Sequence, residues 1–163
     1  MNEVDLADMI NNAEDDDNLH ALVLFRLLPK DMCADVFSYL DSDVQEYIVN
    51  GINDKELSAI LEELYLDDTV DFVDEMPSSI AKRVLMLSDS ETRKRINQFL
   101  HYPEDSAGSL MTIEYMSVKK DWTVAKTLLE IRRRAEDKED IQTLYVSDSK
   151  RVLSGMLDLT DVL

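Results

Sequence analysis

Sliding the chain against itself by 24 positions brings its apolar residues into columns, and this period constrains the fold more than any other feature. Leu28, Ile52, Met76 and Leu100 fall in one column, and Leu24, Ile48, Phe72 and Ile96 in another. Three more follow: Cys33, Leu57 and Ala81; Val36, Ile60 and Val84; Phe37, Leu61 and Leu85. Pro29, Asn53 and Pro77 directly follow the first column, so helix breaks recur in phase. Within a unit, apolar spacings of three and four, as in Leu57, Ile60, Leu61 and Leu64, mark one buried helix face. A unit this short cannot bury its face alone, so neighbours must stack. Asn53 with Glu56, Ser42 with Gln45 and Ser88 with Glu91 have the spacing of capping boxes. Residues 19–100 are therefore expected to form a short right-angled or curved stack of helical hairpins, a right-handed α-solenoid. A helix near residues 3–12 should precede it, with "AEDDDN" at 13–18 as the connecting loop.

Three glycines and three prolines in 163 residues leave little punctuation, which favours helix over an all-β reading. Cys33 is the only cysteine, so no intramolecular disulfide forms and a reducing compartment is expected. Its column with Leu57 and Ala81 makes it a small core residue. The longest apolar run, "ALVLF", falls far short of the roughly 18–20 residues of a membrane span. The N-terminus lacks the basic start of a signal peptide. A soluble, cytoplasmic chain without direct membrane contact is expected. There is no phosphate-cradling Gly-rich loop, no nucleophile elbow and no Cys or His cluster with metal spacing; His20 and His101 stand alone. No enzyme is expected.

Charge is distributed unevenly. Residues 1–110 carry 25 acidic and 8 basic side chains, a net charge of -17; residues 111–163 carry 10 and 9, a net charge of -1. Between residues 31 and 81 there are 14 carboxylates against the single cation Lys55. Such a surface repels nucleic acid and anionic lipid and concentrates cations. The densest stretch is "LYLDDTVDFVDEMP" at 64–77, where Asp67, Asp71 and Glu75 follow at i, i+4 and i+8 on one helical stripe and repel each other. Asp67 and Asp68 stand at a helix start, where carboxylates are favoured by about 0.3–1 kcal/mol. Asp71, Asp74 and Glu75 have no such reason. Mg²⁺ takes oxygen ligands and keeps most of its waters, so Asp67 and Asp71, one turn apart, can hold a hydrated ion against an opposing surface.

After "HYPEDSAGS" the pattern changes. "EYMSV" at 114–118 has strand length, "TVAKTLLEIRRRA" at 123–135 is helical, and "QTLYVSD" and "RVLSGMLD" read as two strands joined by a turn through "SDSK". "LTDVL" begins another helix. The run Arg132–Arg134 reads as a solvated helix surface, or as a patch that meets an acidic surface.

Strand, helix, two strands and a closing Gly155, Asp161 and Val162 resemble a CBS module, here lacking its last helix. With "YPEDSAGSLMT" at 102–112, preceded by "LYLDDTVDFVDEMP", the chain resembles the cytosolic part of MgtE-type magnesium transporters. The resemblance implies an acidic helical N domain at 1–101, a junction at 102–112 and a truncated α/β CBS module at 113–163, a fragment of a longer protein. It implies Mg²⁺ as the ligand, bridging the N and CBS domains to favour the closed pore. It also implies the remaining CBS and transmembrane domains of the same protein as partners, and a homodimer at full length. By position, the metal residues are Asp67 and Asp71 of the "DDxxD" motif and Asp35 of the preceding hairpin, with Glu104, Asp105 and the backbone near Gly108 at the junction. CBS modules that bind adenine nucleotides usually place Thr or Ser where this chain has Asp158, and a carboxylate facing a phosphate is unfavourable. The competing reading is an acidic α-solenoid scaffold for a basic protein partner, fused to a partial CBS module.

Overall fold

The computed structural model describes residues 2–13, 19–103, 105–135 and 138–163. It divides into two compact units, Met1–Leu110 and Met111–Leu163. Most of the expected 13–18 loop lies outside the described residues.

The first unit is helical: α1 (Glu3–Asn11), α2 (Leu19–Arg26), a 3₁₀ turn (Lys30–Met32) running into α3 (Cys33–Ser38), α4 (Ser42–Gly51), α5 (Asp54–Glu63), α6 (Leu66–Glu75), α7 (Ser78–Leu87) and α8 (Ser90–Phe99). Starts at Lys30, Asp54 and Ser78, and at Ser42, Leu66 and Ser90, each recur every 24 residues. From α4 to α8 every helix has ten residues, and α4 to α7 each end on an extended residue (Ile52, Leu64, Met76, Ser88), followed by an equally extended N-cap (Asn53, Tyr65, Pro77, Asp89). A ten-residue helix plus a two-residue link makes the half-period of twelve. α3 packs on α5 and α5 on α7, while α2 packs on α4 and α6 on α8, so each repeat gives one helix to each of two layers.

The apolar columns supply much of the core, although Leu24, Leu28, Cys33, Leu61, Ala81, Leu85 and Leu100 are only half-buried. Val36, Ile60 and Val84 are buried, as are Ile48, Phe72 and Ile96. The rings of Phe25, Phe37 and Phe72 meet edge to face at centroid distances of 6.0 and 5.1 Å, joining the layers. Only one expected capping box forms: Asn53 Oδ1 accepts from the amides of Lys55 and Glu56, and Glu56 Oε2 accepts from the Asn53 amide at 2.8 Å. The other two are corrected. Asp41, not Ser42, precedes α4, and Gln45 turns inward to donate to the Phe37 carbonyl at 2.8 Å. Asp89, not Ser88, caps α8 through the amides of Glu91 and Thr92.

The second unit is β1 (Tyr115–Lys119), α9 (Val124–Arg134), β2 (Asp140–Ser147) and β3 (Leu153–Asp158). β1 pairs parallel with β2 through the α9 crossover, and β2 antiparallel with β3. Met116, Val118, Ile131, Leu144 and Val162 form its core. The β2–β3 turn is set by Asp148 Oδ1, which accepts from the amides of Lys150 and Val152, with Arg151 at φ 63°. "LTDVL" opens as a 3₁₀ turn, Leu159–Asp161, rather than an α-helix.

Candidate metal centre

The acidic stripe lies on α6. Its buried face holds Leu66, Thr69, Val70, Phe72 and Val73, which fixes the carboxylates on the outer side. Asp67 and Asp68 fall in the first turn, where Asp67 Oδ1 accepts from the Asp68 amide at 3.2 Å. Asp71 is mid-helix and exposed. Asp74 and Glu75 occupy the last turn, where the helix carries no basic residue and the macrodipole disfavours negative charge. Partial desolvation by the surrounding protein surface raises the Asp71 carboxyl above its ordinary value, and Glu75 and then Asp74 push it further the same way. A cation beside Asp71 would offset these penalties through its attraction for the carboxylate.

Asp35 stands in the first turn of α3, on the side opposite buried Val36 and Phe37. Desolvation raises its pKa, and Glu3 of α1 adds to the shift. Glu3 was not a candidate from sequence: its approach depends on α1 packing against α3, which no local pattern encodes. Asp105 takes a left-handed backbone, φ 57°, in the turn after α8. At Gly108 a Cβ would lie 2.6 Å from the ring of Tyr102, so tight packing accounts for glycine there without a ligand. Glu104 lies outside the described residues.

Asp67 and Asp71 share α6 with Asp74 and Glu75, Asp35 stands on α3 under the influence of Glu3 of α1, and Asp105 and Gly108 lie in the turn after α8. Among the described residues, no three His, Cys, Asp or Glu side chains converge to hold a metal. The donor set fits a hydrated hard cation, which needs only one or two carboxylates, and does not make an all-protein cage. In the second unit, Asp158 accepts from the Thr160 amide at 2.9 Å and hydroxyl at 2.7 Å, bonds that hold its pKa low and keep it anionic. Arg132 to Arg134 fill the last turn of α9, where cations complement the helix dipole.

Residues 1–105 match the family model of the MgtE intracellular N domain, well over half of the chain. The chain belongs to the MgtE family. It is 34% identical over 147 residues to the magnesium transporter MgtE of Thermus thermophilus, covering 88% of this chain and 33% of that protein. With the magnesium transporter MgtE of Bacillus subtilis it shares 24% identity over 136 residues, covering 83% and 30%. The chain thus spans about a third of the length of these relatives. Its fold matches the crystal structure of the cytosolic domain of the Mg²⁺ channel MgtE in complex with ATP, with TM-score 0.85 and 34% identity, over 99% of this chain and 65% of that one. It also matches the soluble part of a magnesium transporter, with TM-score 0.83 and 24% identity, over 99% and 63%. The second match bears on fold alone. Among the described residues, no helix is long and apolar enough to cross a membrane.

Proposed function

We propose that the chain is a cytosolic Mg²⁺-sensing region of a magnesium transporter, in which bound Mg²⁺ neutralises acidic surfaces and favours the closed state. Its partners are Mg²⁺, the remaining CBS and transmembrane domains of the same protein, and a second copy at full length. The second unit is the start of a CBS module. The observation that carries this reading is the stripe on α6, where Asp71 is penalised for ionising by desolvation, Glu75 and Asp74. Repulsion stored in this way is released on cation binding, and a few kcal/mol released together is enough to bias a domain arrangement. Asp67, Asp71 and Asp35 are the proposed ligands of the helical unit, with Asp105 and the Gly108 backbone as weaker ligands at the junction. Alone, the chain binds Mg²⁺ with Kd on the order of 1 mM.

Calorimetric Mg²⁺ titration of the complete cytosolic region tests this against a variant with Asp67 and Asp71 both changed to Asn. The parent should bind with larger heat and higher affinity. Equal heats and affinities would remove these residues from the site. A stable complex with a basic protein, indifferent to Mg²⁺, would favour the scaffold reading.

A further inference from the structure

The helical unit also holds a cavity of about 400 Å³ framed by α2, the 3₁₀ turn, α3 and α5. Its floor is the buried set Phe25, Ala34, Ile52 and Ile60. Arg26, Lys30 and Lys55 stand at its edge, three of the eight cations in residues 1–110. In a region of net charge -17, cations gathered around an apolar hollow are the reverse of what a metal-attracting surface requires. Two carboxylates, Glu56 and Glu63, share the edge. Glu56 is turned into the α5 cap, accepting from the backbone and side-chain amides of Asn53 at 2.8 and 2.7 Å. Arg26 donates to the Gly51 carbonyl at 2.8 Å. Among the described residues, the side chains of Lys30 and Lys55 make neither an ion pair nor a hydrogen bond. The Cys33 thiol on the wall donates to the Pro29 carbonyl and adds no negative charge: burial raises its pKa, Asp31 raises it further, and Lys30 offsets this only in part.

We propose that this cavity binds a small amphipathic carboxylate, its aliphatic chain on the Phe25, Ile52 and Ile60 floor and its head group at Lys30 and Lys55. A pocket of this volume, with buried apolar residues within and a few exposed charged groups among its lining, has the form of a small-molecule site. The cations select the sign of the head group, and the hollow selects an apolar body. A divalent cation has no place there.

The test is an NMR titration of the whole chain with decanoate, compared with decyltrimethylammonium of equal chain length. Decanoate should give saturable shifts centred on Ala34, Ile52, Ala59 and Ile60, and the ammonium compound should bind at least about tenfold more weakly. Changing Lys30 and Lys55 together to Gln should weaken decanoate about tenfold, equivalent to about 1.4 kcal/mol. Both lysines are exposed, so circular dichroism should show that variant folded. Ala59→Phe, which fills the hollow from an exposed wall position, should abolish the shifts. The proposal fails if no saturation appears up to about 5 mM decanoate, if the ammonium compound binds as tightly, or if the lysine variant binds decanoate unchanged.

Discussion

Asp71→Asn keeps the side chain's size and removes its charge. On α6, Asp71 lies three or four residues from Asp67, Asp68, Asp74 and Glu75, and each like-charge pair at such spacing costs about 0.2–0.5 kcal/mol. Four pairs amount to about 1–2 kcal/mol, and the exposure of Asp71 places the effect near the lower end, because water and salt screen it. The variant should therefore be more stable than the parent without metal by about 1 kcal/mol, an upward shift in Tm of about 4 °C for a unit of this size. The pH dependence has a fixed sign. With its pKa raised in the folded state, Asp71 holds a proton more tightly folded than unfolded, so its stabilising contribution is fully present below the unfolded value near 3.8 and is lost as pH rises through the folded value. The gap between variant and parent should be widest at neutral pH and close on acidification. With Kd on the order of 1 mM, about 10 mM Mg²⁺ stabilises the parent by about 1.4 kcal/mol, and the variant should gain no more than it does in KCl of equal ionic strength. Thermal unfolding followed by far-ultraviolet circular dichroism, in EDTA, MgCl₂ and matched KCl, measures all of this. A variant less stable than the parent in EDTA, or one that keeps the full Mg²⁺ gain over KCl, refutes the reasoning.

Two further substitutions probe the scaffold. Arg83→Ala removes donors to the Val49 carbonyl (2.7 Å), the Ile52 carbonyl (2.9 Å) and Asp54 (2.7 Å). Because Val49 and Ile52 are buried, the loss should be about 2–4 kcal/mol in urea unfolding; Asp54→Ala, which breaks only the exposed pair, should cost less than about 1 kcal/mol. Gly108→Ala should cost about 1–3 kcal/mol by forcing the Tyr102 ring aside. If packing is the reason for glycine, most of that penalty should vanish in a Tyr102→Ala background, as a double-mutant cycle of Tm values will show.

The helix stack was legible because its period is written in the apolar columns, and those columns supply much of the core. Two caps were misplaced by one residue for a definite reason. The links repeat every twelve residues, which sets N-caps at Asp41, Asn53, Tyr65, Pro77 and Asp89, and local Ser-to-Gln or Ser-to-Glu spacing competes with that register at Ser42 and Ser88. The crowding of Asp71 was legible too, since Asp74 and Glu75 lie on the same helix. That of Asp35 by Glu3 was not, because it requires α1 to be folded against α3. The cavity was invisible for the same reason: α2, α3 and α5 meet only in three dimensions.

The uncompensated charge of the helical unit has a structural origin beyond its count of carboxylates. Helices linked by two extended residues do not end in the left-handed glycine turn that satisfies terminal carbonyls. Arginines do that work here. Arg83 and Arg26 reach the carbonyls of Val49, Gly51 and Ile52 at the end of α4, and Arg93 reaches those of Leu85 and Ser88 at the end of α7. Three of the eight cations in residues 1–110 are thus drawn to helix ends, and Lys30 and Lys55 stand at the apolar cavity. Only Lys82, Lys94 and Arg95 remain, and Arg95 pairs with Glu91 on α8. The economy in glycine that gives the stack its regular twelve-residue step therefore also draws arginines to helix ends, while Asp71, Asp74 and Glu75 on α6 have no basic residue on their own helix; the excess negative charge on which the proposed cation site rests follows in part from how the helices are closed.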